Sequence, residues 1–584
     1  MTGRARRAVA ALAAVSALLL AGAAAPAFAY EPPAATYGVE TEEMFVEMDD
    51  GVRLAGTVAY PTLPDGSRAT GRPAIVTMTP YGKDISGPGS FWPARGFIQA
   101  VFDIRGAGAS HGTLDENYFS PRESRDSATV IDHIGGLPEA DCRVGMAGGS
   151  YLGITQYMAA GEQPDCLKAI VPSVAASDLY REAAYHGGML SQFFGAQYLV
   201  LQQNGTGLVS GPAEPNEPAD ALVAKTEQLQ SDSIAWDYLA NTTYNDFYRD
   251  RSPIELADRI EVPALIYDGW FDGFIRGAQE MYWALEDRPV ETRLWIDPVT
   301  HKGGRGYPFN PQGYAGALDS FTNAQLEFLD RHLNGAATPD RPPVKLYMMG
   351  EDTYLEDNSY PPAEVEHRRY WLGDGEIAEA PPADGAGSYL TNPLDGWTNT
   401  LSRHGVVAVS PYLPFDQSLE SEQGLVWSTP VLEEPQRLAG PLSLSLVAQT
   451  TAPDTDWVVR VSDVDPSGTA TLVTEGYLRA SHRELDAARS RPGRPYHPHT
   501  GTEPVPAGEW VPYEIEVWPT AIELAPGHRL QVQLTSNDTP NHTPGTVQVD
   551  KDDPSRVDVR PHQPALNTVR YGADGSSLVL PVLP

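Results

Sequence analysis

The sequence predicts an α/β fold with a mainly parallel sheet, interrupted by a helical insertion and followed by a β-sandwich or jelly-roll domain. Three observations carry this expectation. Short apolar, β-branched runs alternate with helical patterns through the first half of the chain. Between residues 178 and 251 the pattern becomes helical and rich in large apolar side chains. Beyond about residue 370 it turns to short strand-like pieces separated by Pro, Gly, Asp and Asn turns.

Taken in order, residues 52–60 (VRLAGTVAY) alternate as a strand, and 74–79 (AIVTMT) and 97–103 (FIQAVFD) read as strands buried on both faces. Residues 124–137 carry Ala128, Ile131 and Ile134 at helical spacing. The stretch 144–157 (VGMAGGSYLGITQY) starts β-compatible, passes through small residues to Ser150 and continues as a helix. A serine on a sharp strand-to-helix turn is the arrangement of a nucleophile elbow; the bland alternative is a helix N-cap. The usual G-x-S-x-G is displaced: Gly148 and Ser150 fit, Leu152 stands where the second glycine belongs, and a glycine follows at Gly153. Residues 169–174 form the next strand. After the insertion, 262–268 (VPALIYD) and 292–297 (TRLWID) are strands, and 324–333 a helix. The β-rich region contributes 442–447, 457–461, 510–517 and 530–534.

The 584 residues exceed one core, so two or three domains are expected. A net charge of −36 argues against nucleic-acid and anionic-membrane partners. Arg4, Arg6 and Arg7, an Ala/Leu-rich run and Ala27-Phe28-Ala29 read as a cleaved leader over 1–29, which predicts a secreted protein with no membrane attachment after cleavage. Arg6-Arg7 leaves twin-arginine export open beside general secretion. Cys142 and Cys166 flank the elbow strand and helix. A strand–helix–strand crossover brings those points together at one edge of the sheet, so an exported chain is expected to bond them.

An activated serine needs a base and a group that orients the base. Ser150, Asp272 and His301 each fall just past a strand, in the order Ser, Asp, His that an α/β-hydrolase uses. Asp268 and Asp297 are rival acids; Asp268 is nearer its strand end, and Asp297 is too close in sequence to His301 to orient it. The glycine-rich run 106–112 lacks nucleotide-binding spacing, and 13 histidines form no metal motif, so no cofactor or metal is expected.

The segment Gly148-Gly149-Ser150-Tyr151-Leu152-Gly153 resembles the G-x-S-Y-x-G elbow of the cocaine esterase and Xaa-Pro dipeptidyl-peptidase family. So do Pro80-Tyr81-Gly82-Lys83, Asp103-Ile104-Arg105-Gly106, Trp270-Phe271-Asp272-Gly273-Phe274 and the run 328–333 (FLDRHL). Late in the chain, 454–457 (DTDW), 476–480 (GYLRA) and 526–529 (PGHR) resemble the family's carboxy-terminal domain. The resemblance implies an α/β-hydrolase domain over 30–177 and 252–367, a helical cap over 178–251 and a jelly-roll domain over 368–584. It also implies that the Tyr81 hydroxyl and the Tyr151 backbone N–H hold the oxyanion. Asp103 and Arg105 are read as structural.

Two departures stand out. Asp297 replaces a glycine frequent in relatives, which puts a charge near the site. Gly273, Phe274 and Ile275 stand where α-amino ester hydrolases of the family carry ammonium-holding carboxylates. The resulting expectation is a serine hydrolase acting on a small-molecule ester, amide or short peptide. An Xaa-Pro dipeptidyl-peptidase is the alternative, and a non-catalytic glycan- or polymer-binding protein is the rival from another class.

Overall fold

The computed structural model describes residues 30–114, 118–198, 234–301, 314–391, 416–418, 423–539, 541–549 and 557–584. The leader expected over 1–29 lies outside the described residues, as does 199–233 of the insertion.

The strands of the first domain are β1 (Gly38–Glu47), β2 (Arg53–Thr62), β3 (Arg72–Thr79), β4 (Ile98–Asp103), β5 (Ala140–Gly149) and β6 (Leu167–Ser173). A two-residue hairpin, β7 (Tyr185–His186) and β8 (Met189–Leu190), precedes β9 (Ala264–Phe271), β10 (Thr292–Thr300), β11 (Val344–Met348) and β12 (Thr353–Asp357). Ten of these form one sheet in the order β1-β2-β4-β3-β5-β6-β9-β10-β11-β12. From β4 to β11 every pairing is parallel; β1, β2 and β12 run antiparallel at the edges. The inner strands are apolar because both faces are covered: all eight residues of β9 are buried.

The covering helices include α1 (Pro121–Gly135) and α2 (Tyr151–Gly161), and, after the insertion's α3 (Ile234–Ala240) and α4 (Asp246–Arg249), α5 (Ile275–Glu286) and α6 (Tyr314–Asn334). Helix α1 starts three residues earlier than its apolar spacing suggests. Ser120 caps it by accepting the Glu123 N–H at 3.2 Å, and Pro121 occupies the first turn. Helix α6 is twice the length read from sequence, and strands β1, β11 and β12 were not foreseen. Strand β1 (GVETEEMFVE) is largely exposed, so it lacks the apolar alternation by which a strand is recognised.

The described residues of the insertion are less regular than the helical reading. Two π-helical turns, Tyr180–Ala184 and Phe193–Tyr198, bracket the β7–β8 hairpin. The hairpin is held from outside. The Arg479 N–H donates to the Gly187 carbonyl at 2.8 Å, the Thr543 N–H to Leu190 at 2.9 Å, and the Gln192 N–H to Asn541 at 2.9 Å. His186 Nδ1 and His542 Nε2 lie 2.7 Å apart in the same buried contact.

The carboxy-terminal domain is antiparallel and joins its sheet at Glu366–Leu372. Its longest strands, Gln436–Thr450 and Val511–Leu524, pair along most of their length and extend well past the segments read from sequence. Cys142 and Cys166 are bonded across a sequence separation of 24, enclosing the end of β5, the elbow and α2. On the chain-entropy account a loop of that length contributes roughly 3–4 kcal/mol.

Candidate active site

Ser150 sits at the β5–α2 junction with φ 62° and ψ −127°, a conformation non-glycine residues seldom adopt and one that exposes its Oγ at the sheet's carboxyl edge. Its N–H donates to Ser173 O on the neighbouring β6 at 2.9 Å, which ties the turn to the sheet. The displaced glycine has a contact reason. A Cβ at Gly153 would come within 2.7 Å of Ala175 Cβ and 2.8 Å of the Ser173 carbonyl oxygen. Leu152, in the usual glycine place, packs over Gly148 instead, where a Cβ would meet Leu152 Cβ at 2.7 Å. The glycines therefore mark where neighbouring side chains and backbone leave no room for a Cβ.

Asp272 follows β9 and His301 follows β10, so two adjacent strands present them beside the elbow. His301 Nε2 lies 2.8 Å from Ser150 Oγ, and its Nδ1 lies 2.7 Å from Asp272 Oδ2. Asp272 is fully buried and its other oxygen accepts the Phe274 N–H at 2.7 Å, which fixes the carboxylate plane. In this arrangement Nδ1 carries the proton toward Asp272 and Nε2 accepts from the serine.

The rival acids are engaged elsewhere. Asp268 Oδ1 accepts the Gly269 N–H at 2.7 Å. Asp297 accepts from Tyr267 Oη at 2.9 Å, Trp295 Nε1 at 2.9 Å and Tyr354 Oη at 2.7 Å. The charge that replaces a glycine is thus taken up by three donors from β9, β10 and β12. Burial nevertheless holds its carboxyl above the usual range.

Tyr81 follows β3. Its hydroxyl is 3.0 Å from Tyr198 Oη, and the Ser150 side chain and the Tyr151 N–H lie near enough to act on it. The two groups that the resemblance assigns to the oxyanion therefore converge beside the serine. Burial raises the Tyr81 phenol, and these three neighbours pull it back. Phe274 stands edge-on to the His301 ring at 5.4 Å, Phe194 meets Phe274 at 6.0 Å, and Tyr198 stacks on Phe194 at 4.9 Å. A cavity of about 390 Å³ also opens beside His301, lined by Thr77, Gly149, Ser173, Val299 and Phe321.

Sequence reasoning missed Glu123 and the pairing of Tyr198 with Tyr81. Glu123 is buried; its Oε2 accepts from Tyr151 Oη at 2.7 Å and from the Phe119 N–H at 2.8 Å. It anchors Tyr151, whose N–H the resemblance assigns to the oxyanion. The Ser120-x-x-Glu123 spacing of a capping box was the available signal. No local pattern links Tyr198 to Tyr81, 117 positions away.

Burial pushes the Glu123 carboxyl up to about 8 from an ordinary value of 4.5. A raised folded-state value means that this group's contribution to stability is complete below the unfolded value and is lost as pH rises through the folded one. Glu123→Gln is expected to flatten the decline in stability between about pH 5 and about pH 8 relative to the wild type, read from denaturant melts. Parallel pH profiles for the two proteins would contradict it.

A profile of the X-Pro dipeptidyl-peptidase (S15 family) matches residues 50–303, and one of the X-Pro dipeptidyl-peptidase C-terminal non-catalytic domain matches residues 334–577. The chain is similar to cocaine esterase of Rhodococcus sp. (strain MB1 Bresler), at 29% identity over 94% of this chain and 99% of the relative. In fold it is similar to an aminopeptidase from a marine sediment Thaumarchaeota archaeon, with a TM-score of 0.77 and 22% identity over 96% of this chain and 99% of that one. It is likewise similar to a CocE/NonD family hydrolase from Staphylococcus aureus, with a TM-score of 0.72 and 19% identity over the same shares of the two chains.

Proposed function

The chain belongs to the cocaine esterase and X-Pro dipeptidyl-peptidase family and is a hydrolase; from that premise we propose that it is a secreted serine esterase or amidase working through an acyl-enzyme. The observation that carries this reading is the line Ser150–His301–Asp272, closed by contacts of 2.8 and 2.7 Å at the carboxyl ends of parallel strands.

Ser150 Oγ attacks the acyl carbonyl while His301 Nε2 takes its proton. Asp272 holds the imidazole in that tautomer and stabilises the imidazolium. The oxyanion is met by the Tyr81 hydroxyl and the Tyr151 N–H, donors fixed before the charge develops. His301 then protonates the leaving group, and water attacks the acyl-serine by the reverse sequence. Tyr81, Tyr151, Ser150 and His301 all belong to the chain, so each proton has a named carrier. The leader over 1–29 and the Cys142–Cys166 bond favour an oxidising, extracytoplasmic setting.

The family match keeps an Xaa-Pro dipeptidyl-peptidase as the second reading. That activity needs a carboxylate facing the substrate ammonium. Among the described residues, the two buried carboxylates of the first cap turn are engaged by arginines: Asp178 by Arg181, and Glu182 by Arg276 at 3.1 Å. The residues after Asp272 supply Phe274, an apolar wall, instead of an acid. A neutral ester with an apolar or aromatic acyl group fits these surroundings better.

The test is a parallel panel of p-nitrophenyl acyl esters and Xaa-Pro p-nitroanilides, with a fluorophosphonate probe on the mature chain. Labelling at Ser150 and a higher kcat/KM on the esters are expected. A preference of about tenfold or more for the Xaa-Pro amides would reverse the order of the two readings. Absence of labelling would sink both.

A further inference from the structure

A phenol has one proton to give and can accept two hydrogen bonds. The Tyr81 hydroxyl lies 3.0 Å from Tyr198 Oη, and either oxygen of that pair can be the donor. If Tyr81 gave its proton to Tyr198, it would turn a lone pair toward the oxyanion, which is repulsive. If Tyr198 donates instead, the Tyr81 proton is left for the reacting oxygen. The direction of the Tyr198 proton therefore decides whether Tyr81 can act.

Tyr118 is placed to support that direction. It is fully buried, its ring packs edge-on against Tyr151 at 4.8 Å, and its hydroxyl donates to Tyr198 Oη at 3.5 Å. Tyr198 can accept from Tyr118 while giving its own proton to Tyr81. We propose that Tyr118, Tyr198 and Tyr81 form a head-to-tail relay of phenols, in which Tyr198 of the cap is a positioning residue that aims the Tyr81 proton at the oxyanion. The inference rests on Tyr81 being an oxyanion donor, as in the reading above. It adds that the oxyanion site is completed from the cap: Tyr198 ends the π-helical turn Phe193–Tyr198, and its ring is held by stacking on Phe194. Donors in series polarise one another, so each phenol strengthens the next.

The test is a double-mutant cycle on a p-nitrophenyl ester with Tyr81→Phe, Tyr198→Phe and both together, and Tyr118→Phe alongside. Phenylalanine keeps each ring and removes only the hydroxyl. Tyr198→Phe is expected to lower kcat by about 3- to 10-fold with KM nearly unchanged, Tyr118→Phe by less. In the Tyr81→Phe background, Tyr198→Phe should cost nothing further, because the proton it aims is gone. Wild-type kcat in Tyr198→Phe while Tyr81→Phe is impaired overturns the relay and leaves the esterase reading standing. Equal losses from Tyr198→Phe in both backgrounds also overturn it, since a structural role would add. Full activity of Tyr81→Phe overturns the relay together with the oxyanion assignment. A melting temperature for each variant checks folding. Should Tyr198→Phe be poorly folded, the Tyr81/Tyr118 cycle carries the same criterion: non-additive losses support the relay, additive ones reject it.

Discussion

Replacing Ser150 with alanine is expected to lower kcat on an activated ester by roughly 10⁵- to 10⁶-fold and to abolish fluorophosphonate labelling. Removing the nucleophile leaves the oxyanion donors and the binding surface, whose residual acceleration sets the floor. The fold should survive. The turn's positive φ is imposed by the Ser150 N–H bond to Ser173 and by the close approach at Gly153, neither of which involves the hydroxyl. A melting temperature near the wild type with turnover gone would place the loss in chemistry. Retention of more than about a hundredth of the wild-type kcat would move the nucleophile elsewhere.

The largest expected effect on stability is at Arg276. Its guanidinium is buried between three parts of the chain: Nε contacts Glu516 of the carboxy-terminal domain at 3.0 Å, one terminal nitrogen contacts Glu182 of the cap at 3.1 Å, and the other lies 3.8 Å from Glu280 on its own helix. Burial already pushes the Glu182 carboxyl up to about 7, with Arg276 the main opposing influence. Arg276→Ala would strand Glu182 and Glu516 at once, while Glu280 keeps its pairing with Arg494, and breaking one side of a buried charge cluster costs about 3–5 kcal/mol. The expected readout is a large drop in melting temperature that is partly recovered at mildly acidic pH, where Glu182 is neutral. A raised folded-state value places the favourable range below that value, so the recovery must appear on acidification. An unchanged melting temperature would show that the cluster reorganises around the loss.

How far the site could be read from sequence depended on what kind of contact made it. Ser150, Asp272 and His301 were legible because each lies at the end of a strand with a clear apolar pattern, and the order of strands fixes which ends meet. The disulfide was legible for the same topological reason. The partners of Asp297 were not legible, because sequence adjacency to His301 says nothing about side-chain direction; Tyr267 and Tyr354 come from β9 and β12. The hairpin β7–β8 gave no signal because two-residue strands have no period, and its backbone is satisfied by Arg479, Asn541 and Thr543, some 300 positions or more away. Tyr198 and Glu123 were hidden in the same way: each looked like one more core residue until its partner across the fold was known.

That hairpin has a consequence for how such proteins diversify. It runs into Ser191 and Gln192, pinned by His542 and Asn541, and then directly into the aromatic turn that meets Tyr81 and Phe274. The carboxy-terminal half thus acts as a template on which the aromatic surroundings of Ser150 and His301 are moulded. The two halves are not interchangeable cassettes. A chimera that joins this catalytic half to a relative's β domain should arrive with altered selectivity even though no catalytic residue was exchanged, and lineages that changed one side of the seam would have had to change the other with it.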